Sequence, residues 1–158
     1  MKKLLVLTGI LVALIVGFIS YTTASAEKPY SDSTNNLSTP TDRVQLNQIQ
    51  VNGNKLTLTF NKDLYLSEYA ATKSMLPLFD KGHNGIEFIP ETSRDIKIGD
   101  IVAYQSNIVP GLIVHRIIDI NQDNEGIYFV SKGDNNQTID PEKIRFSQVK
   151  FILIGVLY

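Results

Sequence analysis

Residues 44–60 read VQLNQIQVNGNKLTLTF, and this stretch decides the fold class. Its second half alternates: Leu56, Leu58 and Phe60 fall on one face of an extended chain and Thr57 and Thr59 on the other, as a half-buried strand requires. The first half alternates in two shorter phases, Val44 and Leu46 about Gln45, then Ile49 and Val51 about Gln50. The slip between them at Asn47-Gln48 reads as a bulge. Between the halves, Asn52-Gly53 supplies two residues that tolerate the positive φ of a tight hairpin turn. A β-hairpin therefore opens the folded body.

Toward the C-terminus the same signals recur. Short runs rich in β-branched or aromatic residues lie at 85–89, 101–105, 112–120, 127–131 and 150–158. They are separated by Gly99-Asp100, Pro110-Gly111 and the polar stretch 121–126. No long part of the body has helical period, and residues 64–71 are the best candidate for a turn or two of helix. The expected fold is mainly β, in one domain over 44–158.

Toward the N-terminus, residues 27–43 (EKPYSDSTNNLSTPTDR) hold too few large apolar side chains to order themselves and read as a flexible linker. Before them, Lys2 and Lys3 precede an uncharged apolar run at 4–19, and Ala24-Ser25-Ala26 has the small-x-small form of a cleavage site. Residues 1–26 are thus a signal anchor or a signal peptide. The run falls between the roughly 7–15 residues of a signal core and the roughly 18 of a spanning helix. The two lysines keep the short end cytoplasmic and put the body outside. The expectation is a single-pass protein of the cell membrane with an extracytoplasmic body, or a secreted one if cleavage follows Ala26.

Composition removes several function classes. The chain has no cysteine, which excludes a thiol nucleophile, a disulfide framework and a cysteine-ligated metal. Two histidines are too few for a histidine-rich metal site, and no cofactor is expected. Residues 1–26 hold two of the 15 basic side chains and none of the 16 acidic ones, so the body is slightly acidic and offers no basic patch for nucleic acid.

Three segments can carry chemistry. His115 lies in the run 112–118, whose other members are apolar apart from Arg116. An imidazole facing a core there needs a partner, and the plain alternative is a core histidine bonded to a carbonyl. Ser74 stands in Thr72-Lys73-Ser74-Met75-Leu76-Pro77, where Pro77 disfavours helix at Leu76 and leaves the hydroxyl on a turning segment. Lys132-Gly133-Asp134-Asn135-Asn136, followed by Asp140-Pro141, reads by itself as a turn and a loop aspartate.

Together these segments resemble the signal peptidase I family, in its endoplasmic-reticulum and archaeal branch, where histidine replaces the general-base lysine of most bacterial enzymes. Ser74-Met75 with Pro77 is similar to the family's nucleophile box, and Gly99-Asp100-Ile101-Val102 to its Gly-Asp-hydrophobic box. Val114-His115-Arg116 is similar to the base box, and the 132–136 segment with Asp140 to the acid box. The four occur in the family's order. The resemblance implies a signal-peptidase-like coiled β domain after an N-terminal hydrophobic helix. It also implies a serine endopeptidase that cleaves leader peptides of exported precursors at the outer membrane face.

In that reading Ser74 is the nucleophile and His115 the general base. Asp140 or Asp134 orients the imidazole, with Asp140 favoured. The Ser74 N–H and the Thr72 hydroxyl are the oxyanion donors. Lys73 stands where the family often has glycine. Other readings remain open: Lys132 as base of a Ser-Lys arrangement, a self-cleaving relative on the same fold, or a non-enzymatic exported β-domain that binds a peptide or surface partner. His83 reads as an exposed turn residue.

Overall fold

The computed structural model describes residues 38–158, and among these the chain is mainly β, with eight strands. The hydrophobic helix expected within 1–26, and the linker as far as residue 37, lie outside the described residues. No helix among the described residues is long and apolar enough to cross a membrane.

The opening hairpin forms from β1 (Ile49–Asn52) and β2 (Lys55–Leu58), a two-stranded sheet of its own. Ile49 pairs with Leu58 and Val51 with Leu56, and Gly53 in the turn takes φ 59°. The expected bulge at Asn47-Gln48 is instead a single 3₁₀ turn, Leu46–Gln48. The Gln48 side chain explains it, accepting from the Gln45 N–H at 2.8 Å and donating to the Thr59 carbonyl at 3.0 Å. A side-chain amide there does the work of ladder bonds.

A second, antiparallel sheet contains β3 (Tyr65–Glu68), β4 (Asn84–Phe88), β5 (Ile101–Gln105), β6 (Leu112–Asp123), β7 (Gly126–Lys132) and β8 (Val149–Leu157). Their order is β3-β4-β8-β5-β6-β7. Two expectations are corrected here. Residues 64–71 are not helical: Tyr65, Leu66 and Glu68 are exposed, so no helical face would be buried, whereas β3 pairs its backbone with β4 from Tyr65–Glu87 to Glu68–Asn84. The polar stretch 121–126 is mostly strand, since Asn121, Gln122 and Asp123 pair with Tyr128, Ile127 and Gly126. Ladder bonds need no apolar side chains, and Asp123 is neutralised by Lys143 at 2.8 Å and Arg145 at 2.9 Å.

β5 and β8 run through the middle of the sheet, and period-two alternation shares their side chains between two cores. Ile101 and Leu153 join Tyr69, Met75 and Phe79 in the smaller cluster. Val102, Tyr104 and Ile152 join Phe88, Ile96, Ile117, Phe129, Ile144 and Val149 in the larger one. Neighbouring β6 inherits this division through its register. His115 sits opposite Val102 and so shares the face of the larger cluster, whereas Arg116 sits opposite Ile101 and shares the face of the smaller.

Below residue 44 the chain is tied to the body through Asp100, a buried carboxylate. It accepts from the Thr41 N–H at 3.3 Å, from the Arg43 guanidinium at 2.5 Å and from the Lys97 N–H at 2.7 Å.

Glu87 is an acid set into this sheet, only 2% exposed. The Tyr69 hydroxyl donates to its carboxylate at 3.4 Å, and Gly85 leaves the space that this hydroxyl fills. Burial raises the Glu87 carboxyl above its ordinary value of 4.5, against smaller opposing effects of Ser67 and Tyr69. The folded state therefore holds the Glu87 proton more tightly than the unfolded chain. Stability falls as pH rises from the ordinary glutamate value through the raised one. Glu87→Gln, which keeps an acceptor and has no charge to bury, is expected to remove this loss. Urea denaturation across pH 4–8 should show the variant gaining on wild type as pH rises and matching it at the acid end.

Candidate active site

Ser74 follows β3 on a turn anchored by its neighbour. Met75 is buried in the smaller core, and its carbonyl accepts from the Leu78 and Phe79 N–H groups at 2.9 and 3.2 Å. Lys73, before the serine, takes φ 60°. That is the left-handed region, costly for a residue with a Cβ by about 1–2 kcal/mol. The serine hydroxyl lies 3.0 Å from Thr72 Oγ1, and the Ser74 N–H points at the same oxygen at 3.5 Å.

His115 belongs to β6 at the place where the strand loses a neighbour. β7 pairs with β6 only from Arg116 onward, so among the described residues Leu112 to His115 are bonded to β5 on one side alone. Ser74 and His115 line one cleft of about 290 Å³. Its apolar walls come from Tyr69, Met75, Phe79, Leu112, Ile113 and Val114, and Thr72 and Asp80 also face it. Lys132 is not among the lining residues.

Asp140 is the acid in contact with the imidazole, its Oδ2 lying 2.7 Å from His115 Nδ1. Two further donors converge on that oxygen, the Tyr104 hydroxyl at 3.0 Å and the Ser131 hydroxyl. The loop is held as well, because the Asp140 N–H donates to the Ser131 carbonyl at 2.8 Å. Burial pushes the Asp140 carboxyl up, but the bonds from His115, Ser131 and Tyr104 outweigh it and hold the group below the ordinary carboxylate value. It stays ionised at neutral pH. With Nδ1 committed to Asp140, Nε2 is the ring nitrogen left for the cleft.

Asp134 does something else. It takes the Arg116 guanidinium in a bidentate pair, Nε to Oδ1 at 2.8 Å and Nη2 to Oδ2 at 2.6 Å. Arg116 Nη1 completes its bonding on the Gly99 carbonyl at 2.9 Å and the Ser38 carbonyl at 3.2 Å. Both side chains of the pair are over 90% buried.

Comparison with known proteins adds a separate line of observation. Over 88 residues the chain is 33% identical to the signal peptidase complex catalytic subunit SEC11 of Candida tropicalis, covering 53% of this chain and 52% of that one. Part of the chain is similar to a signal peptidase subunit. A second relative, an uncharacterized protein of Methanocaldococcus jannaschii, is 45% identical over 44 residues, which are 28% of this chain and 22% of the relative. The chain thus spans about half the length of the first of these and about a fifth of the second. No family model matches it, and no solved structure does.

The structure therefore brings Ser74, Thr72 and His115 to one cleft and Asp140 to the imidazole, while Asp134 lies with Arg116 instead. Ser131 and Tyr104, the other partners of Asp140, carry no sequence signal, because a serine and a tyrosine in strands are ordinary. Arg116 did carry one: a charge in the run 112–118, apolar but for His115, must find an acid if it is buried. Breaking this pair strands a buried charge, so Arg116→Ala is expected to cost about 3–5 kcal/mol. Urea denaturation measures the loss, and the doubly apolar Arg116→Met/Asp134→Leu chain should recover most of it.

Proposed function

We propose that this protein is a serine endopeptidase that cleaves leader peptides of exported precursors, with Ser74 as nucleophile, His115 as general base and Asp140 as the group that orients the base. One observation carries the reading. Ser74 and an imidazole whose Nδ1 is held by an ionised carboxylate line the same cleft. The similarity to a signal peptidase catalytic subunit supports it independently.

In this mechanism the Ser74 hydroxyl turns from Thr72 toward His115 as substrate enters, and Nε2 takes its proton as Oγ attacks the scissile carbonyl. Asp140 stabilises the imidazolium and fixes its tautomer. The Ser74 N–H and the Thr72 hydroxyl receive the developing oxyanion. His115 then returns the proton to the leaving amine, and water, activated by the same imidazole, hydrolyses the acyl-enzyme. The uncovered edge of β6 from Leu112 to His115 suits an extended peptide, whose backbone would add to the sheet. The apolar lining suits small uncharged side chains next to the cut. A tether through residues 4–19 would hold the enzyme in the plane of its precursors. A mature N-terminus at Glu27 in the soluble fraction, read by mass spectrometry, would refute that tether.

The test is cleavage of a synthetic peptide with an apolar core followed by Ala-x-Ala. Ser74→Ala and His115→Ala are each expected to lower kcat by about four orders of magnitude or more with the fold intact. Asp140→Asn should damage kcat more than Asp134→Asn, whose effect falls on stability. Wild-type cleavage by the Ser74 or His115 variant would refute the mechanism. A wild-type chain that binds the peptide without cutting it would instead mark a binding domain.

Activity should also fall on acidification, because protonated His115 cannot accept the serine proton. Asp140 does not produce a limb near neutrality, since its carboxyl is held below the ordinary carboxylate value. Rate against pH for wild type and Lys132→Ala decides between bases. Loss of activity in Lys132→Ala, with activity kept in His115→Ala, would move the role to the lysine.

A further inference from the structure

The two dihedral angles of Lys73 set the relative orientation of the peptide groups on either side of it, and each of those groups is held by a separate side chain. On the N-terminal side, the Lys73 N–H donates to Asp80 Oδ1 at 3.0 Å. On the C-terminal side, the Lys73 carbonyl accepts from Asn135 Nδ2 at 3.0 Å. Asn135 reaches one group further with its own backbone, its N–H donating to the Ser74 carbonyl at 2.8 Å. Gly133 lies so close to that carbonyl that a Cβ there would collide with it. Asp80 is itself fixed, its N–H donating to His83 Nδ1 at 3.1 Å and its carbonyl accepting from the His83 N–H at 3.2 Å.

This matters because the Lys73 carbonyl and the Ser74 N–H belong to one planar trans peptide and point in opposite directions. Whatever fixes the carbonyl fixes the N–H. Left to itself, a lysine avoids φ near +60°, and the turn would relax and swing this peptide. We propose that Asp80 and Asn135 are positioning residues of the oxyanion site. Together they clamp Lys73 in the left-handed region, and so aim the Ser74 N–H and hydroxyl into the cleft. The inference rests on the peptidase reading above, and adds two residues from different loops to the apparatus.

The experiment uses the full chain and the same Ala-x-Ala peptide. Because an oxyanion donor acts in the transition state and not in substrate binding, Asp80→Ala and Asn135→Ala should each lower kcat about ten- to a hundred-fold with KM little changed. The acid limb of the pH profile should stay where it is. Asp80→Asn, which keeps an acceptor oxygen, should retain most of the rate. Lys73→Gly supplies the decisive arm: glycine accepts positive φ without a clamp, so adding it to Asn135→Ala should restore kcat several-fold. Unchanged kcat in both alanine variants would overturn the proposal. So would a fall that tracks loss of thermal stability and gains nothing from Lys73→Gly. If wild type cleaves no peptide, the peptidase reading fails by itself, and amide hydrogen exchange judges the clamp. Faster exchange of the Lys73 N–H in both alanine variants supports it, and unchanged exchange overturns it.

Discussion

Arg116 places a guanidinium beneath the central sheet, on the face shared with Ile101 and the smaller core, where a lone charge would be very costly. Its bidentate bond to Asp134 meets that requirement and pins the loop after β7 against β6. From there the consequences spread to both halves of the cleft. The pinned loop carries Gly133 and Asn135 to the turn of Ser74, and its continuation brings Asp140 back to Ser131 and His115. The third bonding direction of Arg116 reaches the Gly99 and Ser38 carbonyls, next to the Asp100 site that holds Arg43. A single buried charge thus ties together segments about 80 residues apart in the chain.

Strand alternation explains why two acids from one loop end with different duties. His115 and Arg116 are consecutive, so their side chains leave β6 on opposite faces. The loop after β7 passes one face at Asp134 and reaches the other at Asp140, and each acid meets the cation or imidazole on its own side. Asp140 is kept charged by the bond from His115 first and by the Ser131 and Tyr104 hydroxyls beside it, which suits a group proposed to steady a transient imidazolium. Asp134 is spent on a permanent guanidinium and has no free charge to offer. The similarity to a signal peptidase catalytic subunit concerns about half of each chain, and the division of labour between the acids is a property of the geometry described here.

How far the residues alone could be read follows from the range of the forces involved. Period-two alternation and Asn52-Gly53 are local, and they located the opening hairpin and the strands near 101–105, 112–120 and 150–158 to within a few residues. Residues 64–71 misled because alternation there is weak, and pairing with β4, some 20 residues away, chose strand over helix. Likewise 121–126 looked like loop because its side chains are polar, whereas the ladder is made by backbone groups that composition does not report.

For the site, Ser74, His115, Thr72 and the pair Asp134 and Asp140 were singled out by the resemblance of their segments, in order, to the boxes of the signal peptidase I family, since each segment by itself reads as an ordinary turn, core strand or loop in a chain with many other serines and acids. Which acid meets the imidazole was left to tertiary structure, because two carboxylates in one loop look alike until the faces of β6 separate them. The contacts of Asn135 and Asp80 with the turn of Ser74 were equally invisible. They are hydrogen bonds between a side chain and the backbone of a distant loop, and such bonds are set by where two loops come to rest, not by the residues along either one.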